Sequence, residues 1–340
     1  MPSFSQLVSV ESFDISSTDK EIQLNARASV IDPAPPGFEM SVPALPFIVS
    51  LPTRKNDTYI PIVSAETQPF SLTHPNVTLF ISGRVLPLPS TAIDAVSSFA
   101  SRYLSLERNP ISISSPLLPS LVVDTEFPSP ATKPKVLRDV TIRNMKVKPY
   151  GTEFLASGEV LALIVLPKGM NFQMDVKQIM PDILVFDGEV DDSLPPLGIL
   201  GNVPSRFPPL PPRAFGHILP DDWLTAKSVF NGTDEEGSVF SVSASIVDVP
   251  IQVLPGREKE FSNFVSKVCH YFITHLFHAL MHDTFQILFG SNGAIAGLRG
   301  TVDVGVDIVG LPFHDGDGED VGFQLKGLPL QGKVHIGKKA

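Results

Sequence analysis

The sequence predicts a mainly β protein: two tandem β-sandwich modules, each with one late α-helix. Three observations carry that prediction. Of 340 residues, 33 are proline, about double an average usage of ~5%. Proline locks φ and removes a backbone donor, which argues against long helices. Apolar residues make up 43% and charged residues 18%, so the chain can bury real cores and is not disordered throughout. Short bursts of Val, Ile, Phe, Ser and Thr recur between the prolines, as strands require. The length suits two domains of about 150 residues each.

Charge and cysteine usage narrow the function. The formal net charge is −10, and no basic run exceeds Lys338-Lys339. A polyanion needs clustered Lys and Arg, so no nucleic-acid partner is expected. The lone cysteine, Cys269, excludes an intrachain disulfide. Residues 1–10 lack a basic n-region followed by an apolar core, so they are not a signal peptide. The longest clean apolar run, Leu161–Leu166, is far short of the ~20 residues that cross a bilayer. The chain nevertheless opens on strand-like alternation (Leu7, Val8, Val10, Phe13, Ile15), as a piece of a longer protein would.

The elements repeat. Around Ala26 the sequence is ARASVIDPAPPGFEMSV, and around Ala156 it is ASGEVLALIVLPKGMNFQMDV. Each passage is a strand, a Pro/Gly turn and a second strand beginning at Phe38 or Met170, which predicts a hairpin in each copy. The apolar runs Phe47–Val49 and Ile183–Phe186 follow. Asn76–Leu88 and Gly237–Leu254 then alternate with period two, as half-buried strands do. Each meets a proline, Pro89 or Pro255, and then a helical pattern. The first helix carries Ile93, Val96, Ala100, Tyr103 and Leu104 at i, i+3, i+7, i+10 and i+11; the second opens with Phe261, Phe264 and Val265. Strand-like runs Ile111–Ser114 and Thr301–Val309 close the copies. The expected modules are therefore 1–130 and 131–340. The second is lengthened by a Pro-rich, irregular insertion over about 187–236.

Residues 268–286 (VCHYFITHLFHALMHDTFQ) stand apart, with four of the eight histidines, the only cysteine, and no Lys, Arg, Pro or Gly. His275, His278 and His282 have helical spacing for a zinc site, and a buried helix with incidental histidines fits too. A third reading explains more. Val-Cys can encode a splice donor, Leu280-Met281 a branch point and Phe-Gln an acceptor. Removing the block joins Lys267 to Ile287, so Phe261, Phe264, Val265, Ile287 and Leu288 form one helical stripe ending at Gly290. We read it as a translated intron and place no metal or catalytic residue there.

The remaining motifs are weak carriers of chemistry. Asp315–Asp320 resembles the start of a calcium loop, but the glycine and bidentate glutamate positions hold Asp320 and Lys326, so an acidic turn is expected. Pro208, Pro211 and Arg213 form a PxxP core with a following arginine, the pattern that aromatic grooves bind. Asn56, Asn76 and Asn231 head N-x-S/T sequons and are glycosylation candidates. Trp223, the one tryptophan, is expected to anchor a loop to a core. No nucleophile elbow, P-loop, H-E-x-x-H or strand-linked G-x-G-x-x-G occurs, and no carboxylate pair stands out. The reading is of a non-enzyme with no cofactor.

Five stretches carry a resemblance: IQLNARASVIDP, NVTLFISGRVLPLP with TAIDAVSSFASRYL, EFLASGEVLALIVLP and GLRGTVDVGVDIVGLP. They look like late-embryogenesis-abundant group-two-like, immunoglobulin-like domains. The whole chain resembles the carboxy-terminal portion of the fungal vacuolar termination-of-autophagy protein family, some of whose members are labelled pre-rRNA processing proteins. The resemblance implies modules in the vacuole lumen, anchored to the vacuole membrane by one helix and limiting autophagy during starvation. No apolar run here could be that helix, so the anchor is expected upstream of Met1. No catalytic or ligand residue carries over, and the protein partner stays unidentified. Two alternatives are a lipid-binding sandwich whose cleft is lined by Leu161–Leu166 and Ile183–Phe186, and a cytosolic scaffold using the PxxP loop.

Overall fold

A computed structural model describes residues 8–31, 35, 37–53, 58–72, 74–130, 134–150, 153–190, 211–269, 294–311, 313–314 and 323–336. In chain order the first copy holds β1 (Val8–Ser17), β2 (Ile22–Ile31), β3 (Met40–Val42), β4 (Pro46–Pro52), β5 (Tyr59–Thr67), β6 (Phe70–Leu72), β7 (Asn76–Val85), β8 (Leu88–Pro89), α1 (Ile93–Ser105), β9 (Asn109–Ser115) and β10 (Leu118–Phe127). The second holds β11 (Leu137–Tyr150), β12 (Glu153–Val165), β13 (Met170–Asn171), β14 (Met174–Asp187), β15 (Ala214–Ile218), β16 (Leu224–Thr233), β17 (Ser238–Val253), α2 (Glu258–Cys269), β18 (Ala294–Ile308), β19 (Phe313–His314) and β20 (Phe323–Ile336). The protein is mainly β, as the composition predicts, with one helix late in each copy, as the apolar spacing after Pro89 and Pro255 predicts.

Strand order shows the repeat in space. The first sheet runs β1-β2-β7-β5-β4-β9-β10; the second runs β11-β12-β17, then β15 and β16 end to end between the same two neighbours, then β14-β18-β20. Position for position the two orders are the same, with α1 and α2 each inserted before the penultimate strand. This is the order of an immunoglobulin-type sandwich: three strands on one side, three on the other, and a bridging strand that pairs with both.

The predicted hairpins are a correction. β2 pairs with β1 and β7, and β12 with β11 and β17; neither pairs with the strand that follows its Pro/Gly turn. Each turn instead carries the chain across to the other half of its sandwich. Alternation tells which face of a strand is buried but not which strand lies beside it. Within the stretch expected to be irregular, residues 214–218 and 224–233 are strands β15 and β16, which together fill the bridging position.

Helix α1 is where the copies meet. Asp94 in the first turn and Arg102 in the last complement the helix dipole, and Leu106 closes it in the left-handed region (φ 61°), its N–H donating to the Arg102 and Tyr103 carbonyls. Ala92, immediately before the helix, and Ala95 pack into the first copy's core with Leu51, Ile62, Leu88 and Ile111. Ile93, Tyr103 and Leu104 belong to the second copy's core with Leu325, Leu328 and Leu330 of β20. An aromatic cluster extends the seam: Phe13 and Phe99 meet Phe127 edge-to-face, and Tyr103 stacks on Phe99.

Strand β1 is held from the other side. It pairs in parallel with β13, Ile15 opposite Met170, and the Ile15 N–H donates to the Gly169 carbonyl at 2.6 Å. Gly169 has φ 86°, and a Cβ there would stand 2.0 Å from the Phe13 carbonyl oxygen. Gly310 does the same at the strand's end, φ 81° and 2.3 Å from the Thr18 oxygen. Only glycine tolerates both the backbone angle and the approach.

Candidate functional site

Among the described residues, an acid and a base side chain meet in the interior where β14 pairs with β15. His217 Nε2 and Asp182 Oδ1 share a hydrogen bond of 2.8 Å, with the residues 1% and 7% exposed. Register explains the meeting. His217 lies opposite Leu184, and Leu184 lies opposite Arg299 on β18. Asp182, two residues before Leu184, therefore shares a face with all three. Arg299 is itself 4% exposed, and burial holds its guanidinium below the ordinary arginine range. On the same face Leu184, Phe186, Ala214 and Leu254 form a small apolar cluster.

This arrangement is a buried polar clamp. His217 Nδ1 has no hydrogen-bond partner among the described residues, and a ring this deeply enclosed offers no open face to a substrate. The pair was not singled out from the sequence. A signal was present: Asp182 interrupts the apolar run P-D-I-L-V-F, and His217 interrupts A-F-G-H-I. An isolated charge inside a buried-strand pattern calls for a buried partner.

The sequence-predicted residues do not converge. Asn76 begins β7, exposed and opposite Ile31. Asn231 lies on β16, exposed, its Nδ2 donating to Ser241 Oγ on β17 at 2.6 Å. The bulge between Phe230 and Thr233, with Gly232 at φ 98°, presents that sequon at the surface. Asn56 and Pro208 lie outside the described residues, as do Asp315–Asp320 and positions 270–286 of the histidine-rich block. Val268 and Cys269 end α2. Pro211 is half-buried, and Arg213 donates to the Glu189 carbonyl at 2.9 Å and the Asp187 carbonyl at 3.4 Å. The arginine of the PxxP pattern is thus engaged by its own chain. Trp223 is half-buried before β16.

Of the apolar runs proposed to line a lipid cleft, Ile183–Phe186 and Ile164–Leu166 are buried, while Leu161–Leu163 are half-buried. Ile183 and Val185 enter the main core, while Leu184 and Phe186 enter the smaller cluster on the opposite face. Ile164 and Leu166 are likewise in the main core. Large exposed apolar side chains are scattered over both copies, among them Phe38, Met40 and Phe80, Leu117, Leu118 and Val122 around β10, and Val229, Phe230 and Val247 on the second copy. Among the described residues no group of three or more His, Cys, Asp or Glu is placed to hold a metal ion. No helix among them is long and apolar enough to cross a membrane.

No family model matches the chain, and no curated protein matches it. Among solved structures, a biofilm associated protein BSP domain aligns over 99% of this chain at 7% identity and a TM-score of 0.19. The chain spans 60% of that solved chain.

Proposed function

We propose that this chain is a non-enzymatic pair of recognition modules forming the lumenal part of a fungal vacuolar membrane protein that limits autophagy. The observation that carries the reading is the identical strand order of the two copies, each with one late helix. That is the tandem architecture the resemblance implies. Enclosure of the Asp182–His217 pair supports a structural role for the acid–base chemistry present. The exposed sequons Asn76 and Asn231 are compatible with a lumenal address.

The test is a deletion of the gene in its source fungus, followed through prolonged starvation, with the tagged protein tracked in the same cells. Autophagic turnover that persists past the wild-type arrest, with the tag on the vacuole membrane and a glycosidase-sensitive mobility lost in the Asn76→Gln, Asn231→Gln variant, supports the proposal. A cytosolic tag with normal arrest of turnover sinks it.

A further inference from the structure

We propose that Asn231 is a site of spontaneous deamidation in the folded protein, where the side-chain amide is converted to a carboxylate or an isoaspartyl linkage. Three observations meet there. Among the described residues, Asn231 is the one asparagine followed by a glycine; the sequence's other such pair, Asn292-Gly293, lies outside them. Asn231 and Gly232 are also the residues that the β16–β17 ladder skips. Phe230 pairs with Phe240 and Thr233 with Ser238, and the register shifts between them. A bulge disrupts the ladder locally and leaves its extra residue unpaired. Finally, Asn231 is exposed, and the space that a Cβ on Gly232 would take is open, with nothing within 4 Å.

The chemistry needs only water and hydroxide. Hydroxide takes the Gly232 amide proton, and the nitrogen attacks Asn231 Cγ. The N–Cγ bond forms, the Cγ–Nδ2 bond breaks, and Nδ2 leaves as ammonia with a proton returned from water. A second water opens the five-membered imide. Attack at Cγ gives aspartate; attack at the Asn231 main-chain carbonyl gives isoaspartate, whose backbone runs through Cβ and Cγ. In sum one water enters and one ammonia leaves, with no change of oxidation state. Ser241 is placed to pass on the leaving proton. Asn231 Nδ2 donates to Ser241 Oγ at 2.6 Å, and once attack has turned that nitrogen into an amine the same hydroxyl can donate to it. Asn76 is the contrast: it pairs with Ile31, and the next residue is the buried, β-branched Val77, so it should stay an amide. Conversion at 231 adds a charge to a chain already at −10 and erases the sequon. As isoaspartate it also lengthens the backbone of β16 by one carbon. This inference rests on the bulge and is independent of the vacuolar reading.

The test uses the full chain made in a bacterium, so that no glycan blocks Nδ2. The folded protein is held in warm, mildly alkaline buffer and sampled over days by peptide mapping with mass spectrometry and isoaspartate detection. Conversion is expected at Asn231 and not at Asn76. It should be at least tenfold slower in Gly232→Ala and severalfold slower in Ser241→Ala, with circular dichroism showing that both variants fold. Leu104→Ala, which lowers stability far from the site, should convert at the wild-type rate. Asn231 staying an amide overturns the proposal, as does a Ser241→Ala rate equal to wild type. So does a rate that rises in Leu104→Ala, because the reaction would then run through the unfolded chain.

Discussion

Ser101, on the helix of the first copy, accepts the backbone N–H of Lys326, on the last strand of the second, across 225 residues of sequence. The two copies therefore share a helix rather than merely sitting in tandem. The first copy's fully buried cluster is small, and α1 gives it Ala95 while giving Ile93, Tyr103 and Leu104 to the larger core. A helix buried on two sides is a mechanical coupling between them.

Leu104→Ala tests that coupling. The side chain is 3% exposed, and truncating a buried leucine costs about 2–5 kcal/mol. Urea unfolding of the variant should remain one transition, its midpoint lowered and its slope unchanged, because both copies lose the same helix. Two separated transitions would show that the copies unfold independently.

Much of this was legible. Period-two alternation located β2, β7, β12 and β17, and the i, i+3, i+7 stripe located α1, because burial on one face is written locally. Neighbour relations were not, since nothing in β2 or β12 encodes that its pairing strand lies beyond a crossover. Strand β15 was hidden for another reason. It is five residues, AFGHI, just after the Pro-Pro-Arg that ends a polyproline stretch, too short for any period to show. The second face of α1 was missed because alanines line it, and alanine reads as neither core nor surface.

Gly169→Ala should cost more than the about 1–2 kcal/mol lost when an L side chain takes a left-handed backbone. A Cβ 2.0 Å from the Phe13 oxygen must push β1 away from β13. That breaks the Ile15–Gly169 hydrogen bond and strains the Asn171–Asp14 contact, 2.8 Å. Hydrogen exchange should rise at the Ile15 amide while the β14–β18 ladder keeps its protection. Gly232→Ala, with open space around its Cβ position, is the control and should show the φ cost alone.

Tyr103 reports on the seam by titration. Burial pushes its phenol above the ordinary range, because the phenolate is the form desolvation penalises. A raised native value means the proton is held more tightly folded than unfolded. The stability it contributes is complete below the unfolded phenol's value, about pH 10, and is lost as pH rises through the native one. Followed by phenolate absorbance, one of the four tyrosines should ionise late. Tyr103→Phe should remove that step and move alkaline unfolding to higher pH.

Breaking the Asp182–His217 clamp from one side should cost more than removing it altogether. Asp182→Ala leaves an imidazole 1% exposed with neither nitrogen paired among the described residues, and His217→Ala takes the 2.8 Å hydrogen bond away from the Asp182 side. Leaving the buried imidazole without a hydrogen-bond partner costs about 1–3 kcal/mol. Replacing both by leucine exchanges a desolvated polar pair for apolar contact with Leu184 and its neighbours, a change that is often near neutral. In a double-mutant cycle by chemical denaturation, the double replacement should therefore be more stable than either single variant. If the double loss equals the sum of the singles, the two side chains act independently and the clamp is not a unit.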